Sequence, residues 1–244
     1  MPLRILHRLT LPATATASAT ATGRLAAEAV AARSLPGCRE AEAYRSLSSP
    51  DQVAVVQLWE DEDAHDAYAA AVADGAVASL PAELASRDEA GTEAYAHEYA
   101  APVEGVWTAA SQSAGRRIVW PARGAVRIVI QSCFADPDAE APGLLANEAE
   151  TRREPGCLEF AWMRGVEDPR HILLLELWES QRIYDQHWLL RRRSGSGGPA
   201  RVRAERTFGS NGAEFYRQQE FRLLYDRWLP RAEDAWSTTV DWPA

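Results

Sequence analysis

RSLPGCREAEAYRSLSSPDQVAVVQLWEDEDAHDAY (Arg33–Tyr68) and RREPGCLEFAWMRGVEDPRHILLLELWESQRIYDQH (Arg152–His187) carry one pattern twice. They lie 119 positions apart, and the register holds without a gap from Pro36 and Pro155 through Trp59 and Trp178. The likeness extends outward: LRILHRL at Leu3 answers VRIVIQS at Val126, and GTEAY at Gly91 answers GAEFY at Gly212. Self-similarity over this span marks a tandem duplication of a unit of about half the chain. The predicted organisation is a first unit over residues 1–100, a connector over 101–124, and a second unit with a C-terminal tail over 125–244.

Within each unit the periodicity is that of a mixed fold. A short apolar run (RIL, VRIVI) opens it, and an Ala/Leu/Glu-rich stretch suits a helix (GRLAAEAVAARS, PGLLANEAETRR). Pro-Gly then makes a turn. CLEFAWMRG alternates as a half-buried strand, with Leu158, Phe160 and Trp162 expected on one face. Asp168-Pro169, or Ser49-Pro50 in the first copy, turns the chain into a second strand, HILLLELW; a helix follows from Ser180, and AEFYRQQEF closes the unit as a strand. The order β-α-β-β-α-β is the ferredoxin-like split unit. A sheet with helices on one face needs cover on the other. The expected α+β architecture is therefore two ferredoxin-like βαββαβ units covering each other as a pseudo-dimer, a barrel with its helices outside.

Composition bounds the rest. The 244 residues are 46% hydrophobic and 25% charged, with a net charge of −9. That balance argues against nucleic acid as a partner, because phosphate binding depends on clustered cations. The basic run Arg191-Arg192-Arg193 reads as a solvated helix end. No window approaches the ~20 apolar residues of a membrane span, and the N-terminal apolar stretch, broken by His7 and Arg8, is too short for a secretory signal. Cys38, Cys133 and Cys157 have no metal-binding spacing and leave an odd thiol, so a reduced, cytoplasmic protein is expected.

The candidate site comes from the repeat. Alternate strand residues share a face, which groups Leu174, Glu176 and Trp178. Positions three and four apart on the following helix group Tyr184, His187 and Trp188. The first copy places Trp59, His65 and Tyr68 equivalently, with His and Tyr exchanged. A single Trp at such a place is ordinarily core, and a single His ordinarily a hydrogen-bonded structural group. Polarity on a stripe that should be apolar points instead to a pocket, since burying His or Tyr without a partner costs ~2–7 kcal/mol. No metal-binding spacing, Gly-rich phosphate loop or Gly-x-Ser-x-Gly elbow is present, so neither a metal nor a tightly held dinucleotide is expected.

At these residues the sequence resembles the antibiotic biosynthesis monooxygenase family of dimeric α+β barrels. The shared signature is the Pro-Gly turn, a strand, a second strand ending in Glu/Gln-x-Trp-Glu, and an aromatic or His on the next helix. The fused layout and the ending EFYRQQEFRLLYDRW resemble the oxygenases that open the B ring of angucyclines in jadomycin-, gilvocarcin- and kinamycin-type pathways. One departure is that some anthrone-oxidising relatives carry Asn four residues before the Trp, where this chain has Leu174 and Val55. The resemblance implies a metal-free oxygenase using O2 on a polycyclic aromatic polyketide, with reduced flavin (FADH2 or FMNH2) from a flavin reductase as co-substrate, or with none. His187 or His65 would remove a phenolic proton, and Tyr184 or Tyr68 would hydrogen-bond a carbonyl or peroxide oxygen. Trp178, Trp162 and Trp188 would form walls, as would Trp59 in the first copy, with Phe160, Leu174, Glu176 and Tyr216 as further lining. A homodimer is compatible with this layout. The alternatives are an anthrone or quinol monooxygenase that forms a quinone, a non-catalytic polyketide-binding accessory protein, and a haem-degrading protein.

Overall fold

The computed structural model describes residues 2–11, 15–77, 85–86, 92–96, 117–118, 125–193, 204–209, 212–217, 221–224, 227–230 and 240–241. The first unit runs β1 (Leu3–Thr10), α1 (Ala15–Arg33), β2 (Cys38–Ser46), β3 (Gln52–Trp59), α2 (Glu62–Ala73) and β4 (Thr92–Ala96). The second repeats it as β5 (Val126–Cys133), α3 (Pro137–Thr151), β6 (Cys157–Gly165), β7 (His171–Trp178), α4 (Gln181–Arg193) and β8 (Gly212–Arg217). The order read from the sequence is the order observed. Of the connector, only Arg117–Ile118 lies within the described residues, as a short strand against Val240–Asp241.

Local chemistry explains the ends of these elements. Asp61 and Asp136 cap α2 and α3 by accepting from the backbone N–H of Ala64 and Ala139. Pro137 opens α3, where its missing N–H costs nothing. Gly37 and Gly156 of the two Pro-Gly turns sit at φ +81° and +77°, where a side chain would be strained. Helix α1 begins at Ala15, well before the Ala/Leu-rich part that marked it in the sequence.

All pairings among these strands are antiparallel, and they form one curled sheet in the order β8-β5-β7-β6-β2-β3-β1-β4, with Ala85–Ser86 also on the β1 edge. The units join where β2 meets β6, through Tyr44 opposite Gly165, Arg45 opposite Arg164 and Ser46 opposite Met163. The pairing is isologous. Arg45 and Arg164 are equivalent positions, and the flanking bonds Leu47 N–H to Trp162 O and Val166 N–H to Ala43 O mirror each other at 2.9 Å. The far edges also approach, since Tyr95 of β4 stacks on its counterpart Tyr216 of β8 at 4.7 Å.

Two kinds of core result. One face of the sheet carries the helices. Val53 and Val55 pack with Leu25 of α1, and Trp178 packs with Leu144 of α3 and Tyr184 of α4. The other face is the shared interior, where Leu6, Tyr44, Val56 and Tyr95 meet Val129, Met163, Leu173 and Tyr216. Strand β6 corrects one expectation. A β-bulge between Cys157 and Glu159 breaks the alternation, so Leu158 is 53% exposed while Phe160 and Trp162 are buried on the helix side.

Candidate functional site

The helix-covered face holds two versions of one aromatic cluster. In the second unit Trp178 ends β7 fully buried, and α4 brings two rings back onto it: His187 at 4.6 Å and Tyr184 at 6.1 Å. Phe160 of β6 lies 6.4 Å from His187 and 6.3 Å from Trp162. In the first unit Trp59 meets Tyr68 at 5.0 Å and His65 at 6.0 Å. The indole, imidazole and phenol read from the repeat are therefore together in both units, and both His187 and Tyr68 are buried.

The indole and the buried imidazole or phenol of each cluster have partners, and the partners differ. His187 Nδ1 lies 2.6 Å from Glu154 Oε2 in the turn after α3. Glu154 is in turn held by Arg191 Nη2 at 2.9 Å. Arg191 also reaches Glu150 and Thr151, so it is a tie across to α3 and not the solvated helix end expected of it. A carboxylate on Nδ1 fixes the tautomer and leaves the Nε2 lone pair free to accept a proton. Burial lowers the His187 pKa from its ordinary 6.5, which favours the neutral ring, although Glu154 pulls the other way. Trp178 Nε1–H donates to Glu176 Oε2 at 2.8 Å. Burial lifts the Glu176 pKa to about 7, with nearby Glu154 adding to the rise.

The first unit replaces both acidic groups of this arrangement. Trp59 Nε1–H donates to Gln57 Oε1 at 3.0 Å, where the second unit has Glu176. Tyr68 O–H donates to Glu28 Oε1 of α1 at 2.6 Å. Burial holds the Tyr68 pKa above its ordinary 10 and lifts Glu28 to about 7. The phenol keeps its proton and the carboxylate accepts it, so Tyr68 cannot serve as a base. Burial also lowers the pKa of His65, but its ring is half-buried on the outer side of the cluster, 3.8 Å from Asp66.

Not every residue expected at the site is there. Trp188 is 38% exposed, one helical step outside the stripe that buries Tyr184 and His187. Tyr216 lies in the shared interior, where its O–H donates to Glu214 at 2.6 Å. Leu174 and Trp162 pack in the same core as Trp178, and Trp162 Nε1–H donates to Asn147 Oδ1 at 3.1 Å. A cleft of about 310 Å³ opens beside this cluster and not within it. It borders Phe160 and Cys157, and the indole of Trp178 stays packed against its neighbours.

Sequence reading missed Glu28, Glu154 and Gln57, and it missed the polar interior between the units. There Arg127 bridges Glu93 at 2.8 and 2.9 Å and Glu159 at 2.7 Å. Its counterpart Arg4 bridges Glu214 at 2.5 and 2.7 Å and Glu40 at 3.3 Å. Each arginine thus binds one carboxylate of its own unit and one of the other. Beside them, the Thr207 N–H donates to His171 Nε2 at 3.0 Å, which places the imidazole proton on Nδ1, 2.7 Å from Glu42. The signal was present in alternation such as CREAEAY, which puts Glu40, Glu42 and Tyr44 on one face.

Among the described residues, no three His, Cys, Asp or Glu side chains gather as a metal ion would need, and no helix is long and apolar enough to cross a membrane. The three cysteines are unpaired thiols.

Comparison with known proteins places these features in context. A model of the antibiotic biosynthesis monooxygenase family matches residues 12–76 and 135–188, one segment in each unit. These segments hold both tryptophans, both histidines and both phenols of the clusters. The match supports the ferredoxin-like fold of that family and a monooxygenase-like function. No curated protein matches in sequence. Solved structures similar to this chain include a candidate monooxygenase of Lactobacillus acidophilus, with 14% identity, a TM-score of 0.29, and coverage of 88% of this chain and 92% of that one. Another is an anthrone oxidase-like protein, with 14% identity, a TM-score of 0.29, and coverage of 88% and 90%. A third is a ferredoxin-fold protein of Listeria monocytogenes related to antibiotic biosynthesis monooxygenases, with 11% identity, a TM-score of 0.28, and coverage of 91% and 97%.

Proposed function

We propose that this chain, each of whose two units matches the antibiotic biosynthesis monooxygenase family over one segment, oxidises a flat, electron-rich polycyclic aromatic of the angucyclinone hydroquinone or phenol class with O2, and that the second unit carries the chemistry. The carrying observation is His187, held by Glu154 through Nδ1 and packed on Trp178 at 4.6 Å, with Nε2 left to accept a proton.

The residues divide the work. His187 Nε2 takes the proton of a ring hydroxyl, which raises the electron density of the ring. The phenolate passes an electron to O2, and the pair recombines as a ring hydroperoxide. Loss of water then leaves a carbonyl, so one oxygen atom enters the product and the other leaves as water, with all electrons coming from the substrate. Tyr184, its ring 6.2 Å from that of His187, is assigned the hydrogen bond to the developing oxygen. Phe160, which borders the cleft, offers a face for offset stacking, and Trp178, its N–H held by Glu176, backs the imidazole of His187. Where the substrate is already a quinone, reduced flavin from a partner reductase supplies the two electrons that C–C cleavage of the ring requires. The protein acts without a metal in this scheme.

The test is turnover of a hydroxylated tetracyclic substrate, followed as oxygen uptake with and without reduced flavin. His187→Asn removes the base while keeping a polar side chain for Glu154, and is expected to lower kcat by about 10²–10⁴-fold. Unchanged uptake in that variant would overturn the role of His187. Binding of the tetracycle with no uptake by the wild type would make the chain an accessory binding protein.

A further inference from the structure

The join between β2 and β6 is only three residue pairs long, and on either side the strands separate and leave a slot. The chain itself fills one slot, beside Cys38–Ala41. There the Phe208 ring lies 4.2 Å from the Arg33 guanidinium and 4.7 Å from His171, meeting it edge-on. Arg206 bonds Glu42 and the Tyr44 hydroxyl. The other slot, beside Cys157–Phe160, is the cleft of about 310 Å³, lined by Ser49, Gln52, Arg152, Leu158, Glu159 and Phe160 over Cys157. The two slots are the same place in the two copies. Arg152 stands for Arg33, Glu159 for Glu40, Gln52 for His171 and Ser49 for Asp168.

We propose that this cleft is a second binding site, for a planar aromatic ligand bearing carbonyl or phenolate oxygens, with its ring between Arg152 and Phe160. The filled slot shows what the geometry accepts, which is a ring against a guanidinium. Arg33 is fixed for that by the Ala41 carbonyl at 2.5 Å and by Glu167 at 2.7 and 2.8 Å. Arg152 is fixed in the same way, by the Phe160 carbonyl at 2.7 Å and Glu148 at 2.7 Å, so its plane is set before a ligand arrives.

The differences between the slots select the ligand. An imidazole committed to Glu42 and a carboxylate committed to Arg170 become the amide of Gln52 and the hydroxyl of Ser49, neutral groups that both donate and accept. Phe160 adds a ring where the filled slot has Ala41, and exposed Leu158 forms an apolar lip. The volume lies at the lower end of the ~300–1,000 Å³ of ligand pockets, enough for a small fused-ring system. Because Phe160 also faces His187, an occupant would stand one side chain from the proposed base. The identity of the ligand as a quinone or phenol rests on the oxygenase reading; the existence of the site does not.

Anthraquinone-2-sulfonate serves as a soluble planar quinone probe, titrated calorimetrically into the full chain. Saturable binding at the cleft is expected, besides any binding at the His187 site. Leu158→Glu puts a carboxylate on the exposed lip and should weaken the probe at least tenfold with an unchanged thermal midpoint, and Arg152→Gln should weaken it similarly. His187→Asn should bind the probe within twofold of wild type, so that a loss of turnover in that variant bears on the catalytic reading alone. No saturable binding, or equal affinity in wild type, Leu158→Glu and Arg152→Gln, would overturn the proposal. So would loss of the probe in His187→Asn with both cleft variants unaffected.

Discussion

The second unit buries an imidazole against a carboxylate, where the first buries a phenol against one. At the shared helix position His187 donates its Nδ1–H to Glu154 and keeps a basic ring nitrogen, whereas Tyr68 donates its O–H to Glu28 and has no basic nitrogen to offer. Behind the indole the acceptor is Glu176 in one unit and Gln57 in the other. Both arrangements give the indole N–H and the buried imidazole or phenol a partner, so both are adequate as structure. At this helix position only the second leaves a ring nitrogen over, because the imidazole of the first unit is His65, on the outer side of its cluster. Duplication has kept the packing in both copies and changed which group stands against the buried carboxylate.

The largest expected effect lies where the units meet, and it tests whether the two halves contribute alike. Arg127→Ala leaves Glu93 and Glu159 buried with one cation fewer, a change of the kind that costs about 3–5 kcal/mol. Arg4→Ala should cost less, because its bond to Glu40 is longer, at 3.3 Å, than the 2.7 Å bond of Arg127 to Glu159, and because Arg4 Nη1 has no hydrogen-bond partner. Urea denaturation of both variants measures the difference. Equal midpoints for the two would show that these asymmetries carry no energy.

A smaller effect separates the units by pH. The folded pKa of Glu176 is about 7, above its ordinary 4.5, so between those values the folded state holds a proton that the unfolded state has lost. The contribution of this residue therefore favours folding below pH 4.5 and is withdrawn as pH rises through about 7, by about 1.4 kcal/mol per unit of pH. Glu176→Gln makes the second unit match the first at this position and keeps an acceptor for the Trp178 N–H. It should be more stable than wild type by up to about 3 kcal/mol above pH 7, and the advantage should vanish near pH 4.5. The burial-lowered pKa values of His187 and His65 act in the opposite direction within this window, so the difference between variant and wild type is the quantity to measure. A pH-independent difference would mean that Glu176 titrates normally.

The sequence made the fold legible because each unit states its elements locally and then states them again. The Pro-Gly turns, the alternation of strands β2 and β6, and the tryptophans closing β3 and β7 sit at fixed distances that backbone geometry converts directly into position. The cluster rings were legible for the same reason, since strand end and helix stripe follow each other within ten residues. Their partners were not. Glu154 is 33 residues from His187 and Glu28 is 40 from Tyr68, and no local period connects them. The charged strand faces of Arg4, Glu40, Glu93 and Arg127 were visible as alternation, but alternation tells which residues share a face and not what covers that face. The segment around Phe208 lies outside the repeated stretches, so the repeat could not show that one slot is filled.

The smallest difference expected between the units is at the two Pro-Gly turns, where the backbone is alike and only the neighbour changes. A Cβ at Gly37 would come within 2.5 Å of Ala64 Cβ, and one at Gly156 within 2.7 and 2.8 Å of Ile183 Cδ1 and Cγ2. Both substitutions force a side chain into the positive-φ region, a shared cost of about 1 kcal/mol or more. Beyond that the neighbours respond differently. The Ile183 side chain can rotate away from the added methyl, since it is half-buried at the edge of its core. The Cβ of Ala64 cannot, because it is fixed to the backbone of α2, so the helix itself would have to shift. Gly37→Ala should therefore lower stability more than Gly156→Ala, by about 1 kcal/mol in chemical denaturation. If the two cost the same, the strain of φ alone sets the penalty, and the packing of α2 against the first turn is as yielding as that of α4 against the second.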